Sequence, residues 1–382
     1  IEVEARSENQ KAIFMVPQGK SRGQFEAVSL NPETAVKNIS EVIAPQLRGF
    51  RVEDQKEIDE KLLELDATKN KSKLGANALL GVSGVVAKLA SQIQGLPLYL
   101  YLRKTFLPQK QGFLLPALLM NMINGGVHAE NNLDFQEYLV IFEKGSIKAK
   151  LDSAVKIYQN LKEKLKKEFG RSATNLGDEG GFAGGNFNSN EQPLEILSKV
   201  INQSGLEGEK ISLGIDAAAS QFFKNGDYQL GGKKVSKNEL LEIYKSLFKK
   251  YPLIYLEDPF EENDFESFGL LKKSFPERLI VGDDLTVTNP ERIIKAENNN
   301  SINSLIIKPN QIGTLSETFK AVELAEQYNW KIIVSHRSGE TEDNFIAHLA
   351  VALNAWGLKA GGPARGERTA KYNELLRIGD EI

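Results

Sequence analysis

The chain has 382 residues, a length that allows two or three domains, or one barrel with an additional domain. Hydrophobic residues make up 41% and charged residues 26%, which is typical of a globular protein and excludes a disordered chain. The 48 basic and 51 acidic residues give a net charge of −3, which argues against nucleic acid as a partner. Cysteine is absent and histidine occurs three times, so a metal site must rely on carboxylates, which favour hard cations such as Mg²⁺.

The first residues carry no targeting signal. They lack an initiator Met, a basic segment and an apolar segment, and we expect the natural N-terminus to lie outside this sequence. The apolar stretch 113–123 is short and contains Pro116 and Asn121, so we expect no membrane span. These features favour a cytoplasmic protein.

The first third of the chain reads as a short extended segment followed by helices. Residues 1–27 alternate loosely around a glycine-rich turn at 18–23, which indicates short strands. Apolar residues then recur at helical spacing in 34–43, 52–65 and 75–94. Pro97 and the stretch 104–112 interrupt this pattern, so we predict one domain at 1–111 and a second at 112–382.

Beyond residue 112, short apolar runs alternate with amphipathic segments of helical length, which predicts a parallel α/β sheet. The runs that are typical of buried parallel strands lie at 211–215, 253–256, 279–281, 305–307 and 331–334. Polar residues follow these runs within two positions, namely Asp216, Glu257, Asp283, Lys308 and His336. Functional groups at successive strand ends favour a (β/α)8 barrel over a doubly wound sheet, which gathers its ligands at one switch point.

Three of these residues are carboxylates: Asp216, Glu257 and Asp283. Any one of them alone could simply cap the helix that follows. Brought together at one end of a barrel, they would repel one another unless a cation lies between them. A divalent ion with oxygen ligands meets that requirement, so we predict a joint metal site.

Lys308 also ends a buried strand, where burying a charge is costly. Nearby metal ions and a second cation would lower the pKa of Lys308 and leave a neutral amine that can accept a proton. Lys359 is a candidate for the second cation, although a solvated loop lysine would look the same in the sequence.

Loops supply further candidates. Glu179 lies between glycines in GDEGG, which indicates either a tight loop that exposes its carboxyl group or a plain turn. His128, in NGGVHAENN, leaves the same two alternatives. The third histidine, His348, lies in an apolar helical pattern and is interpreted as a packing residue.

The segment at 336–338 follows a strand, and we predict a helix that begins near Glu340. Backbone N–H groups at such a helix start, beside the side chains of Arg337 and Ser338, would suit a phosphate or carboxylate group.

Eight segments together carry a family resemblance. They are NKSKLGANALLGVS at 70–83, NGGVHAENNLDFQEY at 124–138, GDEGG at 177–181, LEDPF at 256–260, GDDLTVTNP at 282–290, KPNQIGTLSE at 308–317, SHRSGETED at 335–343 and GPARGER at 362–368. In this order, over nearly the whole chain, they resemble the enolase family. The resemblance implies a small α+β N-terminal domain, then a (β/α)8-type barrel in which an antiparallel strand interrupts the usual order.

The resemblance also implies an activity, the reversible Mg²⁺-dependent dehydration of 2-phosphoglycerate to phosphoenolpyruvate. The implied ligands of a first Mg²⁺ are Asp216, Glu257 and Asp283, and a ligand of a second Mg²⁺ is Ser21. Lys308 resembles the base that removes the C2 proton, and Glu179 resembles the general acid, with Glu137 beside it. The implied substrate contacts are His128, Gln136, His336, Arg337, Ser338 and Lys359. The family also implies a homodimer or a higher homo-oligomer.

The chain departs from the family pattern in the loop that carries Ser21. Lys20 and Arg22 replace smaller residues there, and a turn that normally follows Ala27 is missing. We expect this loop to act as a lid, and its added positive charge to weaken the second metal site. Two alternatives to this function remain: another enzyme of the enolase superfamily, such as a racemase, or a non-catalytic binding role on an enolase scaffold.

Overall fold

The N-terminal region combines a hairpin with helices. The computed structural model describes residues 1–7, 9–20, 23–206 and 209–382. The antiparallel hairpin consists of β1 (Glu2–Arg6) and β2 (Lys11–Met15). The helices are α1 (Pro32–Lys37), continued by a π-helical segment (Asn38–Ile43) into α2 (Ala44–Gln46), α3 (Gln55–Asp66), α4 (Ala76–Ile93) and α5 (Leu98–Phe106). The three helices expected from the apolar spacing are therefore confirmed, with ends shifted by a few residues.

Helix α4 is the most apolar helix of this region. By length and composition alone it could cross a membrane, but 78% of it is buried inside the fold. It packs against the hairpin and against α5, as a helix of a protein core does. The apolar stretch 113–123 instead enters the barrel as a strand.

The second region contains eight strands that close into a barrel, as the resemblance implied. The strands from residue 117 onward are β3 (Ala117–Asn124), β4 (Glu137–Phe142), β5 (Ile211–Asp216), β6 (Phe223–Lys224), β7 (Asp227–Leu230), β8 (Lys233–Val235), β9 (Leu253–Glu257), β10 (Leu279–Gly282), β11 (Ser304–Ile307), β12 (Lys331–Ser335) and β13 (Gly357–Lys359). Strands β6 to β8 form a separate small sheet, and the others form the barrel in the order β3-β4-β5-β9-β10-β11-β12-β13.

Helices surround the barrel and cover its apolar strands. They are α6 (Ile147–Phe169), α7 (Gln192–Gln203), α8 (Lys237–Lys250), α9 (Phe265–Ser274), α10 (Pro290–Asn298), α11 (Leu315–Gln327), α12 (Phe345–Leu353) and α13 (Gly366–Glu381). His348 lies on α12, where Nε2 is 3.0 Å from Glu374 Oε1 and the ring stacks on Tyr99, so its packing role is confirmed.

One strand runs against the others. Strand β4 is antiparallel to both neighbours, β3 and β5, whereas the remaining neighbours in the barrel are parallel. Its first residue, Glu137, therefore lies at the end where the parallel strands finish. The register places Glu137 opposite Asp216, and Asp216 opposite Glu257. The reversed strand thus adds a fourth carboxylate to the three of the expected site.

The N-terminal helices contact the start of α11. Buried Asp59 on α3 accepts hydrogen bonds at Oδ2 from Ser316 N and Oγ, both at 2.8 Å. Lys71 Nζ lies 2.7 Å from Glu317 Oε1. Burial raises the pKa of Asp59 to about 6. These contacts join the two regions, and the boundary between residues 111 and 112 stays a prediction.

Candidate active site

Lys359 occupies the centre of the carboxylate cluster. Its Nζ lies 2.7 Å from Glu257 Oε2, 2.9 Å from Glu137 Oε2 and 3.0 Å from Asp216 Oδ2. Burial alone would lower the pKa of Lys359, but the three carboxylates outweigh it and hold the pKa well above its usual value. Lys359 is therefore a buried cation, as expected for the second cation of the site, and a solvated loop position is wrong for it.

Asp283 is held separately. It accepts hydrogen bonds from Lys308 Nζ and, at 2.9 Å, from Gln311 Nε2. The three predicted metal ligands thus share one end of the barrel, but Asp216 and Glu257 face Lys359 whereas Asp283 faces Lys308.

The pKa of Lys308 differs from the expectation. Burial lowers it, and so do Arg337 and Lys359, but the pairing with Asp283 outweighs these effects and raises the pKa. The second cation therefore lowers the pKa of Lys308, as predicted. Asp283, which the sequence suggested only as a metal ligand, raises this pKa by more, so the net shift is upward.

The acidic residues have more negative charge than the lysines offset, which fits a divalent cation. Burial and Asp216 raise the pKa of Glu257 to about 8, and burial raises the pKa of Asp216 to about 6. Within the described part of the chain, the buried Glu257 Oε1 has no hydrogen-bond partner. Oxygen donors of this kind suit Mg²⁺, and an ion bound between them would offset the repulsion.

A second acidic group adjoins Asp283. Asp258, Asp283 and Asp284 each place an oxygen within 4.8 Å of the others. Asp258 also accepts hydrogen bonds from the backbone N–H groups of Asp283, at 3.1 Å, and Asp284, at 2.7 Å, which fixes the loop after β10. Asp258 and Asp284 lie inside the quoted segments LEDPF and GDDLTVTNP, but their positions one residue beyond the predicted ligands gave no reason to select them.

Glu179 lines the same cavity as Lys308, and three side-chain nitrogens lie close to one of its carboxylate oxygens. Asn121 Nδ2 and Asn124 Nδ2 donate to its Oε2 at 2.9 Å each, and His128 Nδ1 lies 3.0 Å from the same atom. Burial would raise the pKa of Glu179, but the pairing with His128 and the charge of Arg368 hold it well below its usual value. Glu179 and His128 are thus buried in the cavity lining and paired with each other, so neither lies in a plain turn, and the Glu179 carboxyl group is not exposed as expected.

Two further residues lie beside Glu179. Glu137, His128 and Glu179 each offer an atom within 4.8 Å of the others. Burial and the charge of Glu179 raise the pKa of Glu137 to about 7. The neighbouring Gln136 is buried, and none of the described residues forms a hydrogen bond with its side-chain Oε1. Glu137 can therefore hold a proton that Glu179, with its low pKa, does not.

The segment after β12 is a loop, and the helix predicted near Glu340 begins only at Phe345. The chain stays extended because Gly339 pairs with Gln18 through two backbone hydrogen bonds of 2.9 Å, and because Glu340 Oε2 accepts from Arg337 N at 3.1 Å. The side chains of this loop, and not a helix N-terminus, therefore form the candidate anion site.

The glycine-rich loop of the N-terminal region lies against this segment. Gly19 allows a close approach there, since a Cβ would lie 2.0 Å from Arg337 Nη2 and would displace the guanidinium. Lys20 N donates to Ser338 Oγ at 2.8 Å, and the Lys20 ammonium pairs with Asp178. Ser21, the predicted ligand of a second Mg²⁺, lies outside the described residues.

One cavity collects the predicted barrel residues apart from Glu257, which is fully buried next to it. Its lining includes His128, Gln136, Glu137, Glu179, Asp216, Asp283, Lys308, His336, Arg337, Ser338 and Lys359. Sequence reasoning missed the residues that orient these groups, namely Asn121, Asn124, Asp258, Asp284, Gln311 and Arg368.

Comparisons with known proteins agree with this arrangement. Residues 112–382 match the family model described as the C-terminal TIM barrel domain of enolase, and residues 1–102 match the N-terminal domain of enolase. The enolase of Thermococcus gammatolerans is 44% identical over 397 residues, covering 100% of this chain and 91% of the relative. The enolase of Methanopyrus kandleri is 45% identical over 385 residues, covering 96% and 88% respectively. Enolase B of Dictyostelium discoideum is 42% identical over 407 residues, covering 100% and 91%. The chain therefore belongs to the enolase family and is an enzyme of the hydro-lyase class.

Proposed function

We propose that this chain catalyses the reversible Mg²⁺-dependent dehydration of 2-phosphoglycerate to phosphoenolpyruvate, as in glycolysis and gluconeogenesis. The observation that carries the proposal is the placement of Lys308 and the pair Glu137 and Glu179 in the lining of one cavity. The reaction needs a base for the C2 proton and an acid for the departing C3 hydroxyl group, and these residues can supply both.

Lys308 is the proposed base. The Asp283 carboxylate can pair either with the Lys308 ammonium or with a metal cation. If it paired with the cation, Lys308 would lose the partner that raises its pKa. The charges of Arg337 and Lys359 then favour the neutral form of Lys308, because both lower its pKa. The neutral amine can take the C2 proton, and the electron pair left at C2 forms the new double bond as the C3–O bond breaks.

Glu179 is the proposed general acid, with Glu137 as its proton store. The departing hydroxyl group needs one proton to leave as water. Glu137 has a pKa of about 7 and can hold that proton near neutral pH. Glu179 Oε2 is occupied by the two asparagine amides, so Oε1 is the oxygen available to pass the proton on.

The phosphate and carboxylate groups of the substrate need cationic and hydrogen-bonding partners. The side chains of His128, Gln136, His336, Arg337, Ser338 and Lys359 line the cavity and are proposed to supply them. Arg337 is held by Glu26, whose Oε1 and Oε2 lie 3.1 and 3.0 Å from its guanidinium nitrogens. A planar guanidinium fixed in this way suits recognition of a phosphate group.

Asp216, Glu257 and Asp283 are proposed to hold the first Mg²⁺, and Ser21 to contribute to a second. When bound, these ions supply positive charge that stabilises the negative charge developing on the substrate carboxylate. A cytoplasmic location and a homodimer or higher homo-oligomer are part of the same proposal. A non-catalytic role is less well supported, because the base, the acid and the three carboxylates are all present.

The experiment is a dehydration assay with the purified chain. Phosphoenolpyruvate formation from 2-phosphoglycerate should require added Mg²⁺ and stop on chelation. A protein that binds Mg²⁺ but forms no phosphoenolpyruvate at any Mg²⁺ concentration would contradict the proposal and favour the non-catalytic alternative.

A further inference from the structure

Arg368 connects two parts of the active site without facing the cavity. It lies in the first turn of α13 and is fully buried. Its Nη1 lies 2.7 Å from His336 Nδ1 and donates to Arg337 O at 2.6 Å. Its Nη2 donates to Ser338 O at 2.7 Å and to Asp178 O at 3.0 Å. The four acceptors are one ring nitrogen and three carbonyl oxygens. This guanidinium therefore hydrogen-bonds to the imidazole of His336 and to the backbone of two segments.

The contact with His336 determines which ring nitrogen carries a proton. A guanidinium has only donors and stays charged in proteins. Its partner Nδ1 must therefore accept, and a neutral imidazole then carries its proton on Nε2. A cationic His336 would instead direct an N–H group at a positive charge. Burial and Arg368 both hold the pKa of His336 well below its usual value, which agrees with a neutral ring.

The opposite ring nitrogen faces the reacting groups. His336 Nε2 lies 3.8 Å from Glu179 Oε1 and has no hydrogen-bond partner among the residues that the structure describes. We propose that Arg368 is a positioning residue that fixes His336 as a neutral donor, with its Nε2–H directed at the substrate site beside Glu179. The role in turnover rests on the proposed function, whereas the protonation of the ring can be measured without any reaction.

The Arg368 side chain also links the loop after β12, which forms the candidate anion site, to the segment that carries Glu179. Arg337 and Ser338 belong to the loop after β12, whereas Asp178 immediately precedes Glu179. Because one rigid guanidinium binds the carbonyl groups of both segments, they cannot move independently. Arg368 thus acts through the residues it holds.

The decisive measurement is the ¹⁵N spectrum of the histidine side chains. The chain has three histidines, so selective ¹⁵N-histidine labelling gives three imidazoles. The signals of His336 are those lost in His336→Gln. In the wild-type protein we expect an unprotonated Nδ1 and a protonated Nε2 for His336, without titration between about pH 5.5 and 8 around the usual histidine pKa.

Arg368→Met removes the donor and the charge together. His336 should then titrate or populate the other tautomer, and kcat/KM should fall roughly 10- to 100-fold, as when a partner that orients a ligating histidine is lost. Arg377→Met, on the same helix but at an exposed position where the arginine pairs with Glu374, is the matched control and should change neither.

A wild-type His336 that is protonated on Nδ1, or that titrates in this range, would overturn the proposal even if Arg368→Met fails to fold. An unchanged tautomer and pH response in a folded Arg368→Met protein would also overturn it. A chain without dehydration activity but with the expected spectrum would leave this inference intact and remove the proposed function instead.

Discussion

The Lys359 ammonium lies 2.7 Å from Glu257 Oε2, so a lysine contacts a carboxylate that the sequence predicts to be a metal ligand. One oxygen of Glu257 nevertheless has no hydrogen-bond partner in the described ranges of the chain, and burial raises the pKa of this carboxyl group to about 8. The lysine therefore does not satisfy this carboxylate, and Glu257 retains an oxygen for a divalent ion.

Glu257→Gln should weaken Mg²⁺ binding by at least roughly tenfold, because it removes one anionic oxygen ligand from the site. The measurement is a calorimetric Mg²⁺ titration of the wild-type protein and the variant without substrate. Glu143→Gln, at the opposite end of β4 and paired with Lys210, is the control and should bind Mg²⁺ as the wild type does. Equal affinities for all three proteins would place the ion elsewhere.

Lys20→Ala should raise KM for 2-phosphoglycerate by about 1.4- to 5-fold, with little change in kcat, because exposed ion pairs contribute about 0.2–1 kcal/mol. Lys20 pairs with Asp178, and 63% of its side chain is exposed, so its charge is directed at the loop before Glu179. We therefore expect Lys20 to act mainly by holding the loop against the segment before Glu179. The sequence had instead suggested that its charge repels Mg²⁺.

Steady-state kinetics at several Mg²⁺ concentrations separates these two effects. A loss of closure raises KM at every Mg²⁺ concentration. A lower Mg²⁺ requirement in Lys20→Ala, with KM unchanged, would show that repulsion dominates. Lys148→Ala, in an exposed pair with Asp152 on α6, controls for the loss of a surface charge.

Asp59→Asn should become more stable relative to the wild type as the pH rises from about 4 to 7. Burial raises the pKa of Asp59 from 3.8 to about 6, so the folded chain binds this proton more tightly than the unfolded chain. The Asp59 contribution to the free energy of unfolding therefore falls as the pH rises through this range, by about 3 kcal/mol for a shift of about two pKa units.

Urea unfolding of both proteins at several pH values checks this. The difference between their unfolding free energies should change with pH, whereas Asp152→Asn, at an exposed position, should give a constant difference. A constant difference for Asp59→Asn would mean that the hydrogen bonds from Ser316 and Gln55 offset its burial.

Site residues that end a buried strand could be found from the sequence. Residues that reach the site only through the strand order or through long-range contacts could not. Asp216, Glu257 and Asp283 each follow an apolar run, and that pattern is local. Glu137 reaches the same end only because β4 runs backwards, a fact that its own strand pattern does not contain.

The residues that orient the site side chains could not be predicted from local sequence patterns either. Arg368 lies on the last helix, far along the chain from Asp178, and only the closed barrel brings them together. The false expectation of a helix near Glu340 has a related cause, since the pairing of Gly339 with Gln18 is a contact between distant segments that overrides local helix propensity.

The most direct test of the account is exchange of the C2 hydrogen of 2-phosphoglycerate with deuterated solvent, compared between the wild-type protein and Lys308→Ala. If Lys308 is the base, the wild type exchanges this hydrogen in the presence of Mg²⁺. The variant should lose roughly 10²- to 10⁴-fold or more in exchange rate while retaining its fold and binding Mg²⁺ at least as tightly, because Asp283 loses its competing partner. Exchange by Lys308→Ala at the wild-type rate would show that another residue removes the proton and would contradict the account.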